Sequence, residues 1–204
     1  MNSVILKWNP AISSYSMQHY LTDIMNLNRI GYHEMNWSVW DYEKIHKDDR
    51  FYLLKVGQYG QTGIIAFGFI SSNPYTGSDW RGKKQIIHYV NLDPYVMLNP
   101  DALPILSTER VQAEMPDFDV TGGHSGVVLT DSYAEKLNLL WWDFYNENRT
   151  TLFEQAMNCH TGDDGMIYSE LSTYWEVYGK TFHKVYSISI CLKTPLFKNI
   201  SLYS

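Results

Sequence analysis

No apolar run in this chain exceeds strand length. The longest, Gly63-Ile64-Ile65-Ala66-Phe67-Gly68-Phe69-Ile70, is too short for a buried helix, which needs roughly 10–12 residues. It is far short of the ~20 needed to cross a bilayer. The other runs have the same size and are closed by turn formers. Val4-Ile5-Leu6-Lys7-Trp8 stops at Asn9-Pro10, and residues 50–56 stop at the Gly57 to Gln61 turn. That turn leads into 63–70 and so predicts a β-hairpin. Further strands are predicted over 85–92 and 127–129, and a late one over 183–192, where apolar residues alternate.

Two segments carry helical period instead. Ser13-Ser14 offers a cap for a helix reaching about residue 28, with Met17, Tyr20, Leu21, Ile24 and Leu27 on one face. Thr130-Asp131-Ser132 opens a second helix to about residue 147, with Tyr133, Leu137, Leu140, Trp141 and Phe144 inward. A short helix is expected near 107–114, inside a proline-containing stretch over 93–117. Residues 36–40 are aromatic without a clear period, 71–79 and 159–165 read as loops, and 167–178 is ambiguous. This order implies an α+β fold: a small mixed sheet or partly closed β-barrel with helices packed around it. The expected organisation is one domain over 1–147 and an extension over 148–204 packed on it.

Composition narrows the function classes. Among 204 residues, 45% are hydrophobic and 19% charged, which fits a folded core. Aromatic residues reach 15%, more π surface than such a core needs, so the excess is expected to line a groove or an interface. The net charge of −6 argues against global electrostatic capture of duplex DNA, so any nucleic-acid contact must be selected largely by a pocket or narrow groove. Cys159 and Cys191 have no closely spaced metal-type partners, and the N-terminus lacks signal-peptide character. The expectation is a cytoplasmic protein with no membrane span.

Five motifs, in order, resemble those of the PUA-like superfamily, in particular its EVE and YTH domains. They are Ile5-Leu6-Lys7-Trp8-Asn9-Pro10, Trp37-Ser38, Asp48-Asp49-Arg50-Phe51-Tyr52-Leu53, Gly63-Ile64-Ile65-Ala66-Phe67-Gly68, and Gly122-Gly123-His124-Ser125-Gly126 with the helix after it. The resemblance covers residues 4–146. Asp48 stands where the motif usually has glycine, Pro10 follows Asn9, and the late turn lacks its arginine.

The resemblance implies a non-catalytic module that reads a modified, methylated base of DNA or RNA in an aromatic pocket. Trp37 and Trp80 are the implied walls, Asn9 the reader of the base edge, Ser38 a further polar contact and Trp8 a residue of the mouth. Arg81, Lys83 and Lys84 are the implied phosphate contacts. No cofactor is expected. Residue type alone favours packing for Trp8, Trp37 and Trp40, a turn for Asn9-Pro10, and a glycine-dependent turn for His124-Ser125. Trp80 sits in a polar loop and is harder to explain as core. Two alternatives remain open. One is a metal-dependent nuclease or nucleotide hydrolase using Asp163, Asp164 or Glu170, although Asp-Asp-Gly is the composition of a turn. The other is an interaction module, as a homodimer or with a separate effector protein.

Overall fold

The computed structural model describes residues 1–30, 33–83 and 86–160, with only the backbone of 29, 30 and 153–160. The strand expected over 183–192, the segment 167–178, and the carboxylates Asp163, Asp164 and Glu170 lie outside the described residues. The elements run β1 (Ser3–Trp8), α1 (Met17–Ile30), β2 (Met35–Ser38), a 3-10 turn (Tyr42–Lys44), β3 (Arg50–Lys55), β4 (Gly63–Ile70), β5 (Tyr75–Ser78), β6 (Ile86–Met97), β7 (Leu106–Ser107), α2 (Thr108–Glu114), β8 (Val127–Val128) and α3 (Asp131–His160).

The strands form one curled sheet in the order β2-β6-β4-β3-β1-β8, with β5 on β6 and β7 on β4. β1 and β3 run parallel, Val4 beside Phe51, and the remaining pairs are antiparallel. This is the α+β, partly closed barrel that the sequence implied. Main-chain hydrogen bonds draw its two ends together. Trp40 N–H donates to Ser125 O at 3.0 Å and Asp41 N–H to Gly126 O at 2.9 Å, just after β2 and just before β8. Gly126 makes this seam possible. Its φ is +76°, and a Cβ there would lie 2.4 Å from Val39 Cα.

The core fills the inside of the curl. On α1, Tyr20, Ile24 and Leu27 are buried, and the Tyr20 hydroxyl donates to Ile65 O at 2.8 Å. On α3, Leu137, Leu140, Trp141, Phe144 and Tyr145 are buried, and Trp141 stacks on Phe67 with centroids 5.7 Å apart. α1 and α2 both pack against α3. The first helix starts at Met17, and Ser16 rather than Ser13 or Ser14 caps it, its Oγ accepting from His19 N–H at 3.2 Å. Ser107 caps α2. Asp48 has φ +72°, a left-handed conformation that glycine takes more freely than any other residue.

Four expectations need correction. The proline stretch does not end the strand at 92: β6 runs on through Pro94 to Met97. Pro94 sits opposite Gly68 at a register shift, where a missing N–H costs no ladder bond. Residues 75–78 form β5 rather than a loop, and Met35 to Ser38 form β2. The second helix does not stop near 147 but continues to His160, so Cys159 and His160 lie in helix rather than loop.

Candidate functional site

A cleft of about 1170 Å³ opens where the sheet's two ends meet. Its walls come from the end of β1, from β2, from the β5–β6 connection and from the turn before β8. Trp8, Asn9, Trp37, Ser38, Trp80 and Arg81 all line it. Lys83 is exposed and is not among the lining residues, and Lys84 lies outside the described residues.

The end of β1 delivers Trp8 and Asn9. Trp8 is buried; its Nε1–H donates to Tyr15 O at 2.8 Å, and its ring packs on Tyr15 and Tyr20. It forms the back of the cleft. Asn9 closes the turn that follows, its main-chain oxygen accepting from Ile12 and Ser13. Its side-chain Oδ1 accepts Ala11 N–H at 3.1 Å. That bond fixes the amide's orientation and leaves the two Nδ2 hydrogens as its donors.

β2 places Trp37 and Ser38 on opposite sides of the pleat. Trp37 is only 8% exposed. Its ring meets Tyr15 edge-on at 5.8 Å, and its Nε1–H donates to Ser125 Oγ at 2.8 Å. The same Oγ accepts Lys7 N–H at 2.9 Å. Ser125 thus ties β1 to β2 through two donors and sets the plane of the Trp37 indole. The His124-Ser125 turn thus joins the two strands.

Trp80 is 42% exposed at the tip of the β5–β6 connection. The tip is held by a local clamp. Arg81 donates from Nε and Nη2 to both oxygens of Asp79, at 3.0 to 3.2 Å, and its main-chain N–H donates to Asp79 Oδ1. These bonds hold the Asp79 carboxyl below its usual range and the Arg81 guanidinium above its own. The guanidinium also lies 5.7 Å from the Trp80 ring centroid. Tyr89 braces the base of this hairpin, stacking on Tyr75 and donating to Ser78 O at 2.7 Å.

Charge in the cleft is mostly paired. Lys7 Nζ donates to Asp119 O and Gly122 O and lies over the Phe118 ring, and burial lowers its pKa. The Tyr15 hydroxyl donates to Asp23, which also lies 3.2 Å from His33 Nε2. Burial, reinforced by Asp23, holds the Tyr15 phenol well above its usual pKa. Among the described residues there is no group of three His, Cys, Asp or Glu side chains placed to hold a metal ion.

Sequence reasoning missed Tyr15, Ser125 and Trp40 as residues of the cleft. Trp40 reads as structural by type, yet it is 60% exposed and stacks flat on His124, with centroids 3.6 Å apart and planes 4° off parallel. Only the closed seam brings these two residues together, and no local pattern reports it. The resemblance singled out Trp37 and Ser38, whereas nothing in spacing signalled the residues that the cleft sets beside them.

No family model matches the chain, and no curated protein matches it. Solved structures similar to it include a hypothetical protein from Leishmania major, 11% identical, covering 70% of this chain and 96% of that one at a TM-score of 0.47. An NMR structure from Rhodopseudomonas palustris is 14% identical over 69% of this chain and 90% of that one, at 0.40. A mutant of ZmASCH from Zymomonas mobilis is 8% identical over 69% and 99%, at 0.39.

Proposed function

We propose that the cleft holds a flat base extruded from a DNA or RNA strand, prefers a methylated one, and does no chemistry on it. The observation that carries this reading is the convergence of three distant segments, 8–9, 37–38 and 80–81, on one cleft. In this reading the Trp37 indole, fixed by Ser125, forms the floor. Trp80 supplies the free stacking face, held in place by the Asp79–Arg81 clamp. Stacking a base on an aromatic ring contributes about 1–3 kcal/mol. A methyl group adds apolar contact and removes hydration from the base edge, which favours the modified form in an aromatic site.

Asn9 reads the base edge as a donor. Its Oδ1 is already engaged with Ala11, so the ligand must present an acceptor, such as a ring nitrogen or a carbonyl oxygen. Ser38 supplies a further polar contact from β2. Lys83, Lys84 and the remaining Nη1 of Arg81 meet the flanking phosphates.

The test is a tryptophan-fluorescence titration at low salt. The probes are short oligonucleotides, single- and double-stranded, either unmodified or carrying one N6-methyladenine or one 5-methylcytosine. The expected result is saturable quenching that favours one modification and weakens roughly 5–150-fold in Trp80→Ala. Trp80 is half exposed, so its loss leaves the core intact. Equal binding by parent and variant would remove Trp80 from the site, and no binding of any probe would overturn the reading.

A further inference from the structure

We infer that the cleft contains a second stacking subsite, the outward face of Trp40. It takes the base next to the one held at Trp37 and Trp80. This rests on the base-binding reading above and makes it more specific. The ligand becomes a single-stranded or locally opened polynucleotide engaged at two adjacent bases, rather than a free nucleoside.

Three observations carry it. The first is rigidity. Val39 N–H donates to His88 O at 2.9 Å, Trp40 N–H to Ser125 O at 3.0 Å and Asp41 N–H to Gly126 O at 2.9 Å. The backbone around Trp40 is therefore fixed by β6 on one side and by the seam that closes the barrel on the other. The second is the state of the indole. His124 covers one face at 3.6 Å, almost parallel, yet 60% of the residue stays exposed. With His124 on one face, a base can stack only on the opposite one. A preorganised aromatic plane with one face covered and the other open is what a stacking base needs, because little freedom is lost on binding.

The third observation is size. Pockets for one small ligand measure roughly 300–1,000 Å³, and this cleft is about 1170 Å³ and open. Trp40 and His124 line the same cleft as Trp37 and Trp80. A base stacked on Trp40 cannot also stack within a continuous helix, so a second engaged base requires an unpaired strand at this point.

The test compares Trp40→Ala, Trp40→Phe and the parent. The probes are a single-stranded hexanucleotide with one central methylated base, the same strand with abasic sites on both sides of that base, and the free methylated nucleoside. Thermal melting confirms that the variants fold, since Trp40 lies outside the core. The account expects Trp40→Ala to bind the intact strand roughly 5–150-fold more weakly and the free nucleoside unchanged. Trp40→Phe should retain most of the affinity, and the parent should lose a similar factor on the abasic strand. Unchanged binding of the intact strand by Trp40→Ala overturns the subsite. An equal loss for strand and nucleoside also overturns it, because Trp40 would then belong to the first base pocket. If the parent binds none of the probes, the base-binding reading fails and the subsite fails with it.

Discussion

Ser125 shows how much of this cleft hangs on one hydroxyl. Its Oγ accepts from Lys7 N–H and from Trp37 Nε1–H. Ser125→Ala leaves both donors short of an acceptor in a half-buried place. It should cost about 1–3 kcal/mol of stability, measured by denaturant unfolding, and weaken ligand binding as Trp37 loses its fixed plane. A variant as stable as the parent would contradict the keystone role. The clamp at the hairpin tip gives a pH prediction. Asp79 titrates below its usual range because Arg81 donates to it. A carboxylate lowered by folding contributes stability above its unfolded pKa, and that contribution is lost as pH falls through the folded value. Acidification below roughly pH 4 should release the tip and change Trp80 emission, and Asp79→Asn should abolish that transition. An unchanged acid transition in the variant would assign it to other carboxylates. At this scale Trp37 and Asn9 are legible in the sequence through their motifs. Trp40 is not, because its exposure is decided by a contact with residues more than eighty positions away.

At the scale of elements, the seam between the end of β2 and the turn before β8 is the critical joint. Gly126 combines a left-handed backbone with contact to Val39 that leaves no room for a Cβ. Gly126→Ala should destabilise the fold by at least about 1–3 kcal/mol, and should open the cleft before the core melts. Hydrogen exchange at Trp40 and Asp41 N–H groups would report this, and unchanged protection would show that the seam tolerates the added methyl. The strands with bulk on one or both faces, β1, β3 and β4, are visible as apolar runs. β2 escapes a reading that starts at Asn36, because the inward Met35 that completes its alternation with Trp37 is left out. β5 is polar and exposed on the sheet edge, so its pairing with β6 leaves no hydrophobic trace. Pro94 hides the second half of β6, since a bulge opposite Gly68 absorbs it. α3 outruns its expected end because no cap residue stops it: Asn148 donates from Nδ2 to Phe144 O within the helix and Arg149 follows without a glycine.

At the scale of the whole molecule, charge and shape point the same way. The chain carries a net −6, and the lining cations Lys7 and Arg81 are already engaged within the protein. Binding should therefore depend weakly on salt. With at most Arg81, Lys83 and Lys84 on phosphates, and about 0.7 per contact for single strands, the slope of log K against log salt should be no steeper than about −2. A markedly steeper slope would mean that unassigned cations dominate. Among the described residues no helix is long and apolar enough to cross a membrane. The architecture was legible as a whole because the order of short strands and two long helices admits few packings. The cleft was legible only in part, because its floor and walls are set by closure of the sheet rather than by any local pattern.

The most direct test of the central claim is to watch the indole N–H groups by NMR while a methylated nucleoside or a strand containing it is added. The chain has seven tryptophans, and single substitutions assign their signals. The account predicts saturable shifts of the Trp37 and Trp80 resonances, with Trp141, buried against Phe67, unmoved. Shifts confined to other tryptophans, or none at saturating ligand, would contradict a base held between β2 and the β5–β6 tip.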